Sequence, residues 1–110
     1  MKGVFIMNKI MLCCSAGMST SLLVRKMKIA AEQQAIDVQI DAYGASEFSS
    51  HVEDYDVVLL GPQVKYMLND LQQQAEPFGI SVKVIDMMDY GMQNGEKVLQ
   101  FALDTIHEHA

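Results

Sequence analysis

Cys14-Ser-Ala-Gly-Met-Ser-Thr-Ser21 sets a thiol at the head of a stretch in which every residue except Met18 is small or hydroxylated. The thiol ends an apolar run, Ile10-Met-Leu-Cys13, and a helical pattern sets in at Leu22, so the order reads strand, loop, helix. In such a turn the N–H groups of the loop and first helical turn point toward the thiol, and the helix dipole adds roughly half a positive charge. That field stabilises a thiolate and a phosphate alike. Cys14 therefore reads as a nucleophile able to carry a phosphoryl group. The loop amides and the hydroxyls of Ser19, Thr20 and Ser21 are expected to stabilise its thiolate and to hold three phosphoryl oxygens during in-line transfer.

Cys13 reads differently. An unbridged cysteine commonly behaves as a small buried hydrophobe, and a place inside the strand assigns this one to the core. Two adjacent cysteines make poor disulfide or zinc partners and no third exists, so neither a metal site nor another cofactor is expected. His51, His107 and His109 lie far from the loop in sequence and read as solvated, the last two at the negative end of a tail helix.

The elements that must position Cys14 follow from periodicity. Lys9 to Cys14 is apolar after its lysine and Val57-Val-Leu-Leu60 is apolar throughout, as strands covered on both faces are, whereas Val38-Gln-Ile-Asp-Ala42 and Val82-Lys-Val-Ile85 alternate in the manner of edges. Helical spacing appears at Leu23, Met27, Ala30 and Ala31, again at Val64, Met67, Leu68 and Leu71, and finally at Val98, Leu99, Ala102 and Ile106 with Asn94 as N-cap. Between Tyr43 and Asp54 a polar connection with one short helix is expected. Alternating βαβ units imply an α/β fold: an open four-stranded parallel sheet, order 2-1-3-4, with helices on both faces and a phosphatase-like phosphate loop after the first strand. Its switch point lies between the first and third strands, where ligands of open α/β sheets bind. Cys14 and Gly61-Pro62-Gln63 meet at that corner.

With 110 residues, half of them hydrophobic, the chain is expected to form one domain over 1–110, residues 1–8 being a frayed extension. A net charge of −6 argues against a nucleic-acid partner. Val4-Phe-Ile-Met7, broken by Asn8 and Lys9, is far shorter than the ~20 residues of a membrane span, so no direct membrane insertion is expected. Cleavage of a signal peptide near Ala16 would destroy the first strand, and two reduced thiols fit the cytoplasm. Nine methionines exceed ordinary core filling. Since Met is over-used on adaptable binding surfaces, Met18, Met87, Met88 and Met92, together with Gln63, are candidates for a partner surface around the loop.

Low-molecular-weight tyrosine phosphatases and some arsenate reductases place a Cys in this position but need C-x₅-R, whose arginine clamps the phosphate. Six residues on from Cys14 stands Thr20. Hydrolysis should then be poor and a bound phosphoryl group should persist, as a carrier requires.

Leu12-Cys-Cys-Ser-Ala-Gly-Met-Ser-Thr-Ser-Leu-Leu-Val24, Val57-Val-Leu-Leu-Gly-Pro-Gln63 with Tyr66-Met-Leu68, and Val84-Ile-Asp86 followed by Tyr90-Gly91 resemble the enzyme IIB component of the bacterial phosphoenolpyruvate-dependent sugar phosphotransferase system, in its lactose/cellobiose/chitobiose family. The likeness runs from about Lys9 to His107. It implies that Cys14 accepts a phosphoryl group from a histidine of a IIA protein and passes it to a sugar carried by a IIC membrane transporter. Ser15, Ala16, Gly17, Met18, Ser19, Thr20 and Ser21 then form the phosphate-binding loop. By family habit the sugar is cellobiose, chitobiose or a related β-glucoside disaccharide held by IIC, and the protein is a cytoplasmic monomer that visits the inner face of the membrane. Two departures stand out: Cys13 where an apolar or aromatic residue is common, and the amino-terminal extension. Arg25, Lys26 and Lys28 either meet an acidic partner or form a solvated helix face. The competing readings are a phosphatase or arsenate reductase, and a regulatory domain of IIB type.

Overall fold

The computed structural model describes residues 8–14 and 18–108. The four strands are β1 (Asn8–Cys14), β2 (Val38–Gly44), β3 (Val57–Leu60) and β4 (Ser81–Val84), all parallel and in the order β2-β1-β3-β4. The expected topology is the observed one. In β1 and β3 every residue from Ile10 to Cys14 and from Val57 to Leu60 is buried, because both neighbours of each strand and both layers of helices cover them. The edges alternate instead, with Gln39 of β2 and Lys83 of β4 exposed.

Helices α1 (Met18–Gln33) and α5 (Gly95–Glu108) cover one face, packing Leu23, Met27, Val98 and Leu99 onto Ile10, Leu12 and Leu59. Short α2 (Phe48–His51) and α3 (Leu68–Ala75) cover the other, bringing Phe48, Leu71 and Ala75 onto Met11, Cys13 and Leu60. Helix α4 (Met87–Gly91) follows β4 and buries none of its residues. Asn94 caps α5 as expected, its Oδ1 accepting from the Lys97 amide at 3.2 Å. Gly95, the first residue of that helix, lies so close to α1 that a Cβ there would come within 2.4 Å of the Lys26 carbonyl carbon.

Five expectations need correction. Helix α1 starts at Met18, not Leu22: hydroxylated residues suit a first turn, where amides need no intrahelical acceptor. Asn8 pairs with Val38 inside β1, so the extension can comprise only residues 1–7, which lie outside the described residues along with His109. The connection before β3 folds as 3₁₀ turns on either side of α2, because Phe48 and Val52 need burial against the sheet. Within it His51 is not simply solvated, for its ring stacks on Tyr43 with centroids 4.1 Å apart. The pattern from Val64 to Leu71 divides into a 3₁₀ stretch, Pro62–Met67, itself kinked at Val64, whose φ is −116°, and α3 from Leu68.

Candidate functional site

Side chains of a strand alternate between faces, so Cys13 and Cys14 leave β1 in opposite directions. Cys13 joins the α2 and α3 layer, with its Sγ 3.8 Å from the Met11 sulfur and 4.0 Å from the Gly44 carbonyl. Burial first, and then the negative fields of Cys14 and Glu47, push its pKa up to about 12. Such a thiol stays protonated at neutral pH and is a poor nucleophile.

Cys14 ends the strand at the carboxyl edge of the sheet, beside the start of α1. Its Sγ lies 3.4 Å from the Thr20 Oγ1, a hydrogen bond in which either group can donate. Both residues are inaccessible in this structure, Cys14 at 2% and Thr20 at 0% exposure. A hydroxyl thus meets the sulfur from the position where a phosphatase loop carries its arginine.

The opposite wall comes from the turn after β3. Gly61 donates its N–H to the Cys13 carbonyl at 2.8 Å, which brings this turn alongside the end of β1. Its missing side chain matters: a Cβ there would stand 3.5 Å from the Cys14 Cβ, 3.4 Å from the Tyr90 Cε2 and 2.7 Å from the Gln63 Oε1. Three side chains therefore converge on the space that glycine leaves. Gln63 in turn donates from Nε2 to the Tyr90 hydroxyl at 3.3 Å. Tyr90 is carried by α4, whose first turn is fixed by Asp86, a side-chain acceptor for the amides of Met88 at 3.0 Å and Asp89 at 3.2 Å.

Of the loop residues singled out above, Ser15, Ala16 and Gly17 lie outside the described residues. Met18 and Ser19 are placed as backbone in the first turn of α1, and their side chains lie outside what the structure describes; Thr20 is buried and Ser21 exposed. Met87, Met88 and Met92 are 66%, 70% and 71% exposed, on and just after α4, whereas Met11 and Met27 are fully buried in the two cores. The methionines thus divide into packing and surface groups. Arg25, Lys26 and Lys28 are exposed along α1. Tyr90 is the residue that the sequence did not single out for the site: a tyrosine after a turn carries no spacing signal, and only its bond to Gln63 reveals its place. Tyr66, 78% exposed, likewise gave no signal beyond its motif.

No helix among the described residues is long and apolar enough to cross a membrane. The family model described as "PTS system, Lactose/Cellobiose specific IIB subunit" matches residues 9–101. The oligo-beta-mannoside-specific EIIB component of the phosphotransferase system of Bacillus subtilis (strain 168) is 45% identical over 97 residues, which is 88% of this chain and 94% of that protein. The solution structure of a cellobiose-specific phosphotransferase IIB component from Borrelia burgdorferi superposes with a TM-score of 0.80 at 38% identity, covering 96% of each chain. The lactose-specific EIICB component of Staphylococcus epidermidis (strain ATCC 35984) is 27% identical over 96 residues, 86% of this chain and 16% of that protein.

Proposed function

The chain belongs to the lactose/cellobiose-specific IIB family of the sugar phosphotransferase system, and from that premise we propose that Cys14 is its phosphoryl carrier. The observation that carries the proposal is the setting of the Cys14 sulfur: at the carboxyl end of a central strand, at the switch point, against the Thr20 hydroxyl in the first turns of α1. Residues 15–21 hold the phosphate, with the amides of the first helical turn as donors.

In the forward step the sulfur attacks phosphorus in line. The S–P bond forms as the N–P bond of a phosphohistidine on the IIA partner breaks, its electron pair returns to the imidazole nitrogen, and that nitrogen takes the thiol proton. In the second step a sugar hydroxyl held by the IIC transporter attacks the phosphorus, the sulfur leaves with the S–P electron pair, and the hydroxyl proton passes to that sulfur, restoring the thiol. Little covalent machinery is required, because positioning and electrostatics supply the catalysis. No arginine stands at position 20 to clamp the equatorial oxygens for an attacking water, so the phosphocysteine outlives each encounter with a partner.

The partner surface is assigned to Met18, Gln63, Met87, Met88 and Met92 around the site. The chain acts as one IIB domain and a monomer in the cytoplasm, meeting IIC at the inner face of the membrane; a IIC pocket chooses the sugar, a cellobiose-, chitobiose- or related β-glucoside-type disaccharide. The test is phosphorylation by phosphoenolpyruvate, the general phosphotransferase proteins and a IIA partner, with mass mapping of the product. Modification of Cys14 alone is expected, and label on any other residue overturns the assignment.

A further inference from the structure

Gln63 was grouped above with the docking residues, and its side chain, although exposed, is not loose. Its amide is oriented by one hydrogen bond, Nε2 donating to the Tyr90 hydroxyl at 3.3 Å, while Oε1 lies over Gly61, 2.7 Å from where a Cβ would be. The Cys14 Cβ borders the same small space at 3.5 Å. An Nε2 carries two hydrogens, and the second finds no acceptor among the described residues. It is thus a neutral donor at the border of the space that the Cys14 Cβ also lines.

Resting on the carrier reading, we propose that Gln63 is a phosphoryl-positioning residue, whose second amide hydrogen donates to an oxygen of the group on Cys14, and that Tyr90 is the strut that holds it there. A neutral amide suits a carrier. It orients the phosphoryl group for in-line transfer, but lacks the positive charge with which an arginine would also favour hydrolysis. Asp86 belongs to the same line, because capping α4 sets the position of Tyr90. Gly61 is glycine for a local reason: its φ of −64° and ψ of 151° suit any residue, so what a side chain would disturb is the Gln63 amide.

The test measures the rate at which a phosphorylated IIA protein loads Cys14, the ³¹P signal of the phosphocysteine, and the affinity for unphosphorylated IIA. Gln63→Leu should slow loading at saturating phosphorylated IIA about ten- to a hundredfold, as loss of one hydrogen bond to a charged group does, and shift the ³¹P signal, over and above any change in IIA affinity. Tyr90→Phe should slow loading by less, about three- to tenfold, and the double variant should be no slower than Gln63→Leu alone. Gly61→Ala should reproduce the Gln63→Leu defect with a near-normal thermal midpoint, since only the end of a flexible side chain must move. A rate loss fully accounted for by weaker IIA binding, or additive effects of the two substitutions, overturns the proposal, as do unchanged rates in variants of a chain that is loaded on Cys14. A wild-type chain that is not loaded on Cys14 overturns the carrier reading first, and this one with it.

Discussion

Cys13 and Cys14 are covalent neighbours with one sheet between their side chains, and the comparison separates what a residue type offers from what its surroundings allow. Cys13 enters a closed apolar layer built by α2 and α3, touches another sulfur and is held protonated. Cys14 emerges at the end of the strand, where α1, the turn after β3 and α4 converge and where hydroxyl and amide groups replace methyl groups. A shift of β1 by one residue would exchange the two thiols, so strand register decides which of them can do chemistry.

The comparison breaks hardest at Cys14 itself. Cys14→Ser should abolish phosphoryl transfer to sugar in a reconstituted assay, while Cys13→Ala should retain it and cost only ~1 kcal/mol of stability in a urea titration. Loss of transfer in well-folded Cys13→Ala protein would reverse the roles given to the two.

Next in size is the joint that fixes the layer over Cys14. Gly95→Ala would force a methyl group against the backbone at Lys26, so about 3 kcal/mol should be lost and the thermal midpoint should fall by at least ~5 °C. A midpoint within a degree of wild type would mean that α5 and α1 can part without cost.

Alkali sharpens the contrast further. Below about pH 9 both the folded and the unfolded chain keep the Cys13 proton; between there and about pH 12 the unfolded chain has lost it and the folded chain has not. Stability should therefore fall as pH rises through that window, by about 1.4 kcal/mol per pH unit. Urea midpoints at pH 9, 10 and 10.5 should decline more steeply for wild type than for Cys13→Ala. Parallel declines would mean that Cys13 titrates normally.

Smallest is the effect expected at Thr20. Thr20→Val keeps the side chain's bulk and removes the hydroxyl that meets the sulfur, so loading of Cys14 from phosphorylated IIA should slow about tenfold with the fold intact. Rapid-quench kinetics would detect it, and an unchanged rate would remove the Thr20 hydroxyl from the donors to the phosphoryl group.

The sheet was legible in the sequence because two-sided burial writes a continuous apolar run: Val57 to Leu60 is the strand to the residue, and the order follows from which strands alternate. The place of Cys14 at the end of β1 was legible for the same reason, since such a run meets small and hydroxylated residues there. The onset of α1 was not, since Met18 to Ser21 form its first turn from residues that also suit a loop. The Gln63 and Tyr90 contact was illegible for another reason. It joins residues 27 positions apart through a turn and a short helix, and no periodicity records such a meeting.

The placement of β1 inside the sheet also has a consequence for the growing chain. Its β2 side can be covered early, because β2 and α1 follow directly, but its other edge waits for β3. Between the emergence of Cys14 and that of Val57 lie about 2–9 seconds of synthesis at roughly 5–20 residues per second. Throughout that interval a strand with five consecutive apolar residues, Ile10 to Cys14, offers a bare backbone edge, the kind that pairs with other chains. The nascent protein is thus most exposed to misassociation at the segment that ends in Cys14, and a translational pause before β3 would lengthen the exposure without altering a single residue.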